Sequence, residues 1–531
     1  MAVALRLVDR TSTDIKDCFE GARVKFEELI EVLSGPNTRS ATHSAVEDQL
    51  FNEVFELGRQ LLQGHMDVRG DGDVGEEVEG SDGVVRKKER RRSRKMESKF
   101  GTVEVNRLSY EAPGVPSLHP KDAGLNLPSR LFSHGVTKQV AYEAAKGSFD
   151  EVVDSLTRTT HAQVGKRQAE QLAVETAVDF DKFYELRSLV ELPLSFEEAK
   201  QRLIVISADG KGVAMVHDDL REGTRKAAEL EAASGGRSGR LAPGEKHFRK
   251  RRANVLSVYE VMPHIRTPEM LVSMMRDEEA PPRPDALRKR VWASLEMEQP
   301  EALDTAFDEA LRRDPKQEQN WVALVDGEHS QLTQIKDIAQ RRGLKLTMVL
   351  DIIHVLEYLW KAGKAMKIET RKHLEVWLEV QLFRVLHGAA PQMSKALKDE
   401  AKRRLGKIPK AVAVAARYIR NHLDMMDYGN YLAEGLPIAS GVIEGACRHL
   451  IGDRLERTGA RWSLMGAEAV LRLRALYASR DFDEYWTFHE QCELERNHTS
   501  KYAESLPPNP TDTEEIIGRY LRIVTSGEVA P

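Results

Sequence analysis

The chain has 531 residues, 41% of them hydrophobic, which suits about three globular domains rather than one small core. Three scattered cysteines, Cys18, Cys447 and Cys492, exclude a disulfide framework and a Cys-only zinc site, and no apolar run approaches the roughly 20 residues of a membrane span. The net charge of −5 means that a polyanionic partner must be met by local positive charge. With Arg6 already charged in the opening Met1-Ala2-Val3-Ala4-Leu5, no secretory signal is expected, and the expected location is cytoplasmic, at the nucleoid.

Residues 12–64 carry helical spacing, as in Phe26, Leu29, Ile30 and Leu33 and then Leu50, Val54, Leu57 and Leu61, which predicts an amphipathic helical pair serving as core or dimerising face. Residues 67–82 are Gly-rich and acidic and read as a linker. The run from Arg86 to Lys95 is densely basic and reads as an arm or exposed strand that could follow phosphates. Alternation over residues 102–110 predicts a small β element. A helix from Val136 to Lys146 ends at Gly147, and Ser148 with Glu151 forms a capping box for a second helix to about Thr157. A polar turn then leads to a third helix through Lys166 and Arg167. Helix, turn and helix with basic side chains at the start of the last is the layout of a helix-turn-helix, although plain bundles share it.

Three later segments repeat one pattern, an apolar strand that ends in an acid. Leu203–Ser207 leads to Asp209-Gly210, Trp321–Val325 to Asp326-Gly327, and Leu346–Leu350 to Asp351. Such repetition predicts carboxylates converging at one edge of a parallel-type sheet, where open α/β folds place their sites. Between the first two, residues 218–252 are polar and end in a basic run, Lys246 to Arg252, ahead of a strand over Asn254 to Met262. From Lys361 to about Met426 the pattern is helical, interrupted by Pro391 and Pro409. Ser440 then stands as N-cap of a helix with Glu444 in its early turns and Arg448 one turn later, followed by Arg454, Arg457, Arg461 and Trp462. The tail from Asp481 reads as packing helices.

Two or three acids at strand ends with a Glu on a later helix form a donor set for two Mg²⁺ ions, with Mn²⁺ as a substitute, because hard cations take oxygen ligands and keep several waters. From the residues alone, Asp326 and Asp351 are both open as the second acid. The segment Ile438-Ala439-Ser440-Gly441-Val442-Ile443-Glu444, with Gly459-Ala460-Arg461-Trp462-Ser463 and Leu471–Leu476, resembles the C-terminal signature of bacterial insertion-sequence transposases of the ISKra group, relatives of the Mutator and hAT DDE transposases. The resemblance spans about residues 84–486. It implies a mixed α and α/β chain, with a ribonuclease H-like catalytic domain interrupted by an all-helical insertion and a helical N-terminal DNA-binding region.

The resemblance also implies that the second catalytic Asp ends the fourth strand and that an Asp-x-x-His motif follows, which here gives Asp326 and then Asp351 with His354. Asp209, Asp326 and Glu444 are thereby the expected catalytic, metal-holding triad, and Asp351 and His354 supporting residues; the rival assignment takes Asp351 as second ligand. The expected activity is Mg²⁺-dependent cleavage and transfer of double-stranded DNA at inverted-repeat ends. Lys166, Arg167, Arg448, Arg454, Arg457 and Arg461 are the expected DNA contacts, with Trp462 stacking on a base or packing in the interior. Bringing two ends together implies a homodimer or larger oligomer. The alternatives are a DNA-binding protein with an inactive core and a nuclease that does not join strands. Expected divisions are residues 1–66 (helical), 67–98 (linker and basic arm), 99–195 (β element and helix-turn-helix), 196–360 (first part of the core), 361–435 (insertion), 436–480 (core helix with Glu444) and 481–531 (tail).

Overall fold

The computed structural model describes residues 17–190, 194–234, 249–274, 284–457 and 459–508. Part of the basic run ahead of the fifth strand, Lys246 to Phe248, and the end of the tail lie outside them. The chain divides into two compact units, residues 1–179 with 482–531, and residues 180–481. The boundary falls at 179/180 rather than near 195, and the tail belongs with the N-terminal unit.

In the first unit, helices Glu20–Ser34 and His43–Val68 form the expected pair, the second capped by Thr42, whose side chain accepts the Ala45 N–H. Leu29 is buried, whereas Phe26, Ile30, Phe51 and Val54 stay exposed. Strands β1 (Glu77–Glu79), β2 (Val85–Ser98) and β3 (Gly101–Glu111) make an antiparallel sheet in the order β1-β2-β3. The acidic segment is therefore not a free linker, and of the two readings of the basic run, arm or exposed strand, the strand holds. They are neighbours in one small fold, and opposite charge holds them there: Arg86 pairs with Asp82 at 2.8 Å, Lys88 with Asp73 at 2.6 Å and Arg91 with Asp71 at 2.6 Å. Arg92 pairs with Glu111 from β3. Alternation along β3 buries Val103 and Val105 against Met66 and Met96.

The next three helices appear as expected. His134–Lys146 is capped by Ser133, Phe149–Thr159 carries the capping box of Ser148 and Glu151, and Lys166–Thr176 follows a six-residue turn that ends at Gly165. Ala169, Leu172 and Ala173 bury the inner face of the third helix, and Lys166 and Arg167 lie on its exposed side. The C-terminal helix Phe482–Asn497 closes this unit, with the Tyr485 hydroxyl donating to the Thr176 carbonyl and His489 pairing with Asp179 at 2.7 Å.

The second unit is mixed α/β. Its five strands are β4 (Leu203–Ala214), β5 (Lys250–Val261), β6 (Leu287–Ser294), β7 (Asn320–Val325) and β8 (Leu346–Leu350), in the order β6-β5-β4-β7-β8. β4 pairs with β5 and β5 with β6 antiparallel, while β4, β7 and β8 run parallel. Helix Gln299–Arg313 connects β6 to β7 and helix His329–Arg341 connects β7 to β8. The central strand opens with a buried apolar run, Leu203 to Ile206, as a strand covered on both faces must.

Five α-helices, Ile352–Ala365, Arg371–Leu386, Ala390–Leu405, Lys410–Asn421 and the short Tyr428–Ala433, separate β8 from the segment carrying Glu444. Pro391 sits in the first turn of the third and Pro409 caps the fourth, positions where a missing N–H costs nothing. The first of these helices follows β8 at once, where the apolar spacing from Ile352 to Lys364 predicts a helix.

Candidate active site

The sequence pattern Asp-Gly suggests that β4 ends at Asp209, yet the strand continues to Ala214. What ends there is one partner: β7 pairs only as far as Ser207 opposite Leu324, whereas β5 stays paired to Lys250 opposite Ala214. Asp209 thus emerges where one side of the central strand becomes free. Gly210 lets the Arg252 guanidinium lie close against the strand: a Cβ there would meet it at about 2.0 Å and push that side chain aside. Asp326 directly follows β7 and Asp351 directly follows β8, and the Asp351 N–H donates to the Val325 carbonyl at 2.8 Å. All three acids lie at the same edge of the sheet.

Asp326 sits in a tight turn in which its Oδ1 accepts the Glu328 N–H at 2.8 Å and Gly327 takes φ of 88°. That left-handed value favours glycine. The Tyr418 hydroxyl, from the fourth helix of the insertion, donates to the Asp326 carbonyl at 2.6 Å, and its ring stacks on Tyr358 at 4.0 Å. Glu328 in turn accepts two hydrogen bonds from Arg252, at 2.9 and 2.6 Å. Arg252 therefore stands beside Gly210 as a fixed cation at the acid edge, held by Glu328 first and also by the fields of Asp209 and Asp326.

Asp351 is almost wholly buried, at 1% exposure, and both its oxygens are engaged. Oδ1 caps helix Ile352–Ala365 by accepting the Ile353 N–H at 2.8 Å, and Oδ2 accepts the Ser440 hydroxyl. Ser440 makes no cap to its own helix. Ser440 lies at φ −94° and ψ 39°, away from the extended backbone that aims a capping oxygen at the first-turn amides, and its hydroxyl donates to the buried carboxylate instead. This bond ties the end of β8 to the start of the Glu444 helix.

Glu444 lies on helix Gly441–Ala446, and the next six residues, Cys447–Gly452, are a π-helix. Arg448 consequently pairs with Asp453 at 3.6 Å instead of standing over Glu444. Cys447 is aimed the other way, its thiol donating to Asp209 Oδ2 at 3.2 Å, so the π turn bridges the Glu444 helix and the central strand.

Burial and mutual repulsion raise two of these acids, Asp326 and Glu444, above the usual carboxylate range. The Asp326 carboxyl is raised, chiefly by burial and further by Asp209, while the Glu328 N–H and His354 oppose the shift. Glu444 is raised by desolvation first, then by Asp351, Glu357 and Asp209, with His354 again opposing. Its desolvated side faces a cavity of about 680 Å³ with aliphatic walls that include Leu271, Ile353, Leu382 and Val442. The Cys447 thiol is pushed well up by burial and by Asp209. Asp209, Asp326, Glu444 and His354 thus form one electrostatic group. Among the described residues, however, no three His, Cys, Asp or Glu side chains converge closely enough to grip a metal ion. The donor chemistry, carboxylate oxygens whose charges destabilise one another, fits a hard divalent cation; the side chains would have to draw together to hold it.

The basic residues sort into two classes. Arg448, Arg457 and Arg461 are exposed. Arg454 and Trp462 are buried, at 4% and 7% exposure, with the guanidinium stacked 4.7 Å from the ring centre and the Trp462 Nε1 donating to the Leu455 carbonyl at 3.2 Å. Trp462 also extends the β4 side, its N–H donating to the Ala214 carbonyl and its carbonyl accepting from Val216. The assignment of these two as DNA contacts is therefore corrected: an enclosed guanidinium and ring anchor the Glu444 segment to the central strand, and no face is left for a phosphate or base. Lys166 is exposed but ion-paired with Asp150 at 2.6 Å, and Arg167 is exposed.

Sequence reasoning missed Glu328, Tyr418, Cys447 and the Ser440 bond to Asp351, and it placed Arg252 only in a general basic run. Glu328 follows Asp326 by two residues and could have been found as its turn partner; Tyr418 arrives from 92 residues away and leaves no local signal. No known family model and no curated protein matches the chain.

Proposed function

We propose that the chain is a DNA transposase of the DDE type, with residues 180–481 as a ribonuclease H-like core carrying a helical insertion between β8 and the Glu444 helix. The observation that carries this reading is the placement of Asp209 and Asp326 at one sheet edge, with Glu444 in their electrostatic field from a segment delivered after the insertion. The strand order β6-β5-β4-β7-β8, antiparallel on one side and parallel on the other, supports the fold. The resemblance of residues 438–476 to ISKra-group transposases supports the substrate.

In this reading Asp209, Asp326 and Glu444 would hold two Mg²⁺ ions, or Mn²⁺ in their place, which when bound supply activation of the attacking oxygen and stabilisation of the leaving one. The protein's own residues do the positioning. Asp351 and Ser440 fix the Glu444 helix against β8, and Cys447 orients Asp209 through its Oδ2. Asp351, with both oxygens engaged, is a positioning residue rather than the second ligand. His354 places an imidazole between the fields of Asp326 and Glu444 and favours their ionised forms. Arg448, Arg457 and Arg461 meet phosphates near the acids, and Lys166 and Arg167 read or anchor DNA from the third helix of the first unit. Handling two ends calls for a homodimer or larger assembly, working at the nucleoid.

The test is strand cleavage and joining on a labelled duplex carrying the terminal repeat that flanks the coding sequence, with Mg²⁺. Wild type is expected to do both, and Asp209→Asn, Asp326→Asn and Glu444→Gln to bind DNA but do neither. The same test separates two other outcomes, a DNA-binding protein with an inactive core and a nuclease that does not join strands. Binding of the repeat by wild type without metal-dependent cleavage would establish the first, and cleavage without joining the second.

A further inference from the structure

At the other end of the same sheet lies a site of opposite charge. Leu287 at the start of β6 pairs with Glu260, which pairs with Ile204 near the start of β4, far along the strand from Asp209. Beside it opens a cavity of about 670 Å³ lined by seven cationic side chains against three carboxylates. The carboxylates do not balance the cations. Glu309 alone serves three guanidiniums, Arg290 at 2.5 Å, Arg312 at 2.8 Å and Arg313 at 2.5 Å. Asp481 is taken by Arg187 at 2.7 Å and by the Tyr184 hydroxyl at 2.8 Å. Lys289 and Arg480 line the cavity without an ion pair among the described residues. Asp285 is the remaining acid.

Two features distinguish this from a solvated basic face. Arg290 and Arg313 are buried, at 9% and 5% exposure, although Glu309 is their shared counter-charge, and buried cations are costly unless more negative charge reaches them. The Arg290 Nε is also buried without a hydrogen-bond partner, a donor of a kind that rarely stays unused. Arg290 stacks over Tyr184 at 3.4 Å and Trp292 at 4.5 Å, which locks its fork in place and covers both rings.

We propose that this cavity binds a small oligophosphate, an anion with two or more linked phosphates, with Lys289, Arg480 and Arg312 as direct ligands and Arg290 and Arg313 as the buried charge behind them. Arginine forks suit phosphate oxygens in pairs. The volume lies in the range of small-ligand sites, roughly 300–1,000 Å³, and its concavity suits a compact anion better than a duplex. Since Arg290 covers the aromatic rings, recognition is of charge and not of a base. The inference is independent of the transposase reading.

The test is calorimetric titration of the full chain with phosphate, pyrophosphate and tripolyphosphate in the absence of divalent metal, with a short duplex as competitor. Affinity should rise along that series, fall with salt, and weaken by about tenfold or more in Lys289→Ala/Arg480→Ala, which loses two charge-assisted contacts. Both positions are exposed, so the melting temperature should hold; the single variants Lys289→Gln and Arg480→Gln should each give an intermediate loss. Absence of pyrophosphate binding at millimolar concentration, equal binding by the double variant, or displacement by duplex DNA would each overturn the proposal.

Discussion

Removing the Ser440 hydroxyl should loosen the tie between β8 and the Glu444 helix by an amount the structure allows to be worked out. Ser440→Ala leaves Asp351 Oδ2 buried without its donor, at a cost of about 1–3 kcal/mol. Asp351→Asn keeps an oxygen to cap Ile353, since Asn caps as well as Asp, and loses mainly the charge assistance, about 1 kcal/mol. In the double variant the two losses overlap, because each single change damages the same bond, so the coupling energy should be about 1 kcal/mol or more. Hydrogen exchange of peptides covering residues 351–360 and 438–447 reads local opening directly, and each 1.4 kcal/mol appears as about tenfold faster exchange. Both peptides should respond to either substitution, although they are far apart in sequence. Additivity within about 0.5 kcal/mol, or a response confined to the peptide that carries the change, would refute the tie.

The acid edge makes a prediction about pH. A carboxyl raised in the folded state binds its proton more readily folded than unfolded, so its contribution to stability is present below the ordinary carboxylate pKa and is lost as pH rises through the elevated folded value. Asp326→Asn should therefore raise the melting temperature at neutral pH, with the gain vanishing in acid; an equal gain at both would be the contrary result. Trp462→Ala should cost about 3–5 kcal/mol of stability in urea unfolding, as loss of a buried aromatic does, while Arg461→Ala should stay within about 0.5 kcal/mol and weaken DNA binding. In salt titrations of DNA affinity, Arg167→Ala should lower the slope by about 1, and Asp150→Ala, by releasing Lys166, should strengthen binding. An unchanged slope would remove Arg167 from the interface.

Local chemistry was legible wherever it was local. Strand β7 with Asp326, strand β8 with Asp351 and the capping box at Ser148 and Glu151 can be read from consecutive residues, because apolar runs and cap spacings are set within one turn or one strand. The parallel placement of the acids followed from their repetition. Readings failed where a distant partner decides. Asp-Gly at 209–210 looks like a turn, but β5 carries the strand on past it. Residues 67–82 look like linker until the cations of β2 arrive to neutralise them. Arg454 and Trp462 look available in a basic string, and only packing against the end of β4 encloses them. Ser440 has two candidate partners, and a carboxylate 89 residues away takes it.

The π turn at Cys447–Gly452 sets the tolerance of this region to changes in length. Each helical residue advances the chain by about 100°, so a π segment behaves as one residue wound into an otherwise regular path. Deleting one residue there would let an ordinary helix run on without a break in its hydrogen bonding, and backbone energetics alone would favour it. What would change is the widened turn itself: five α-helical residues sweep nearly the same angle as six π-helical ones, so Glu444 on one side and Asp453 and Leu455 on the other would keep their facing. The segment can thus lose one residue without breaking the packing on either side, and the contact put at risk is the one the wide turn makes, the Cys447 thiol on Asp209.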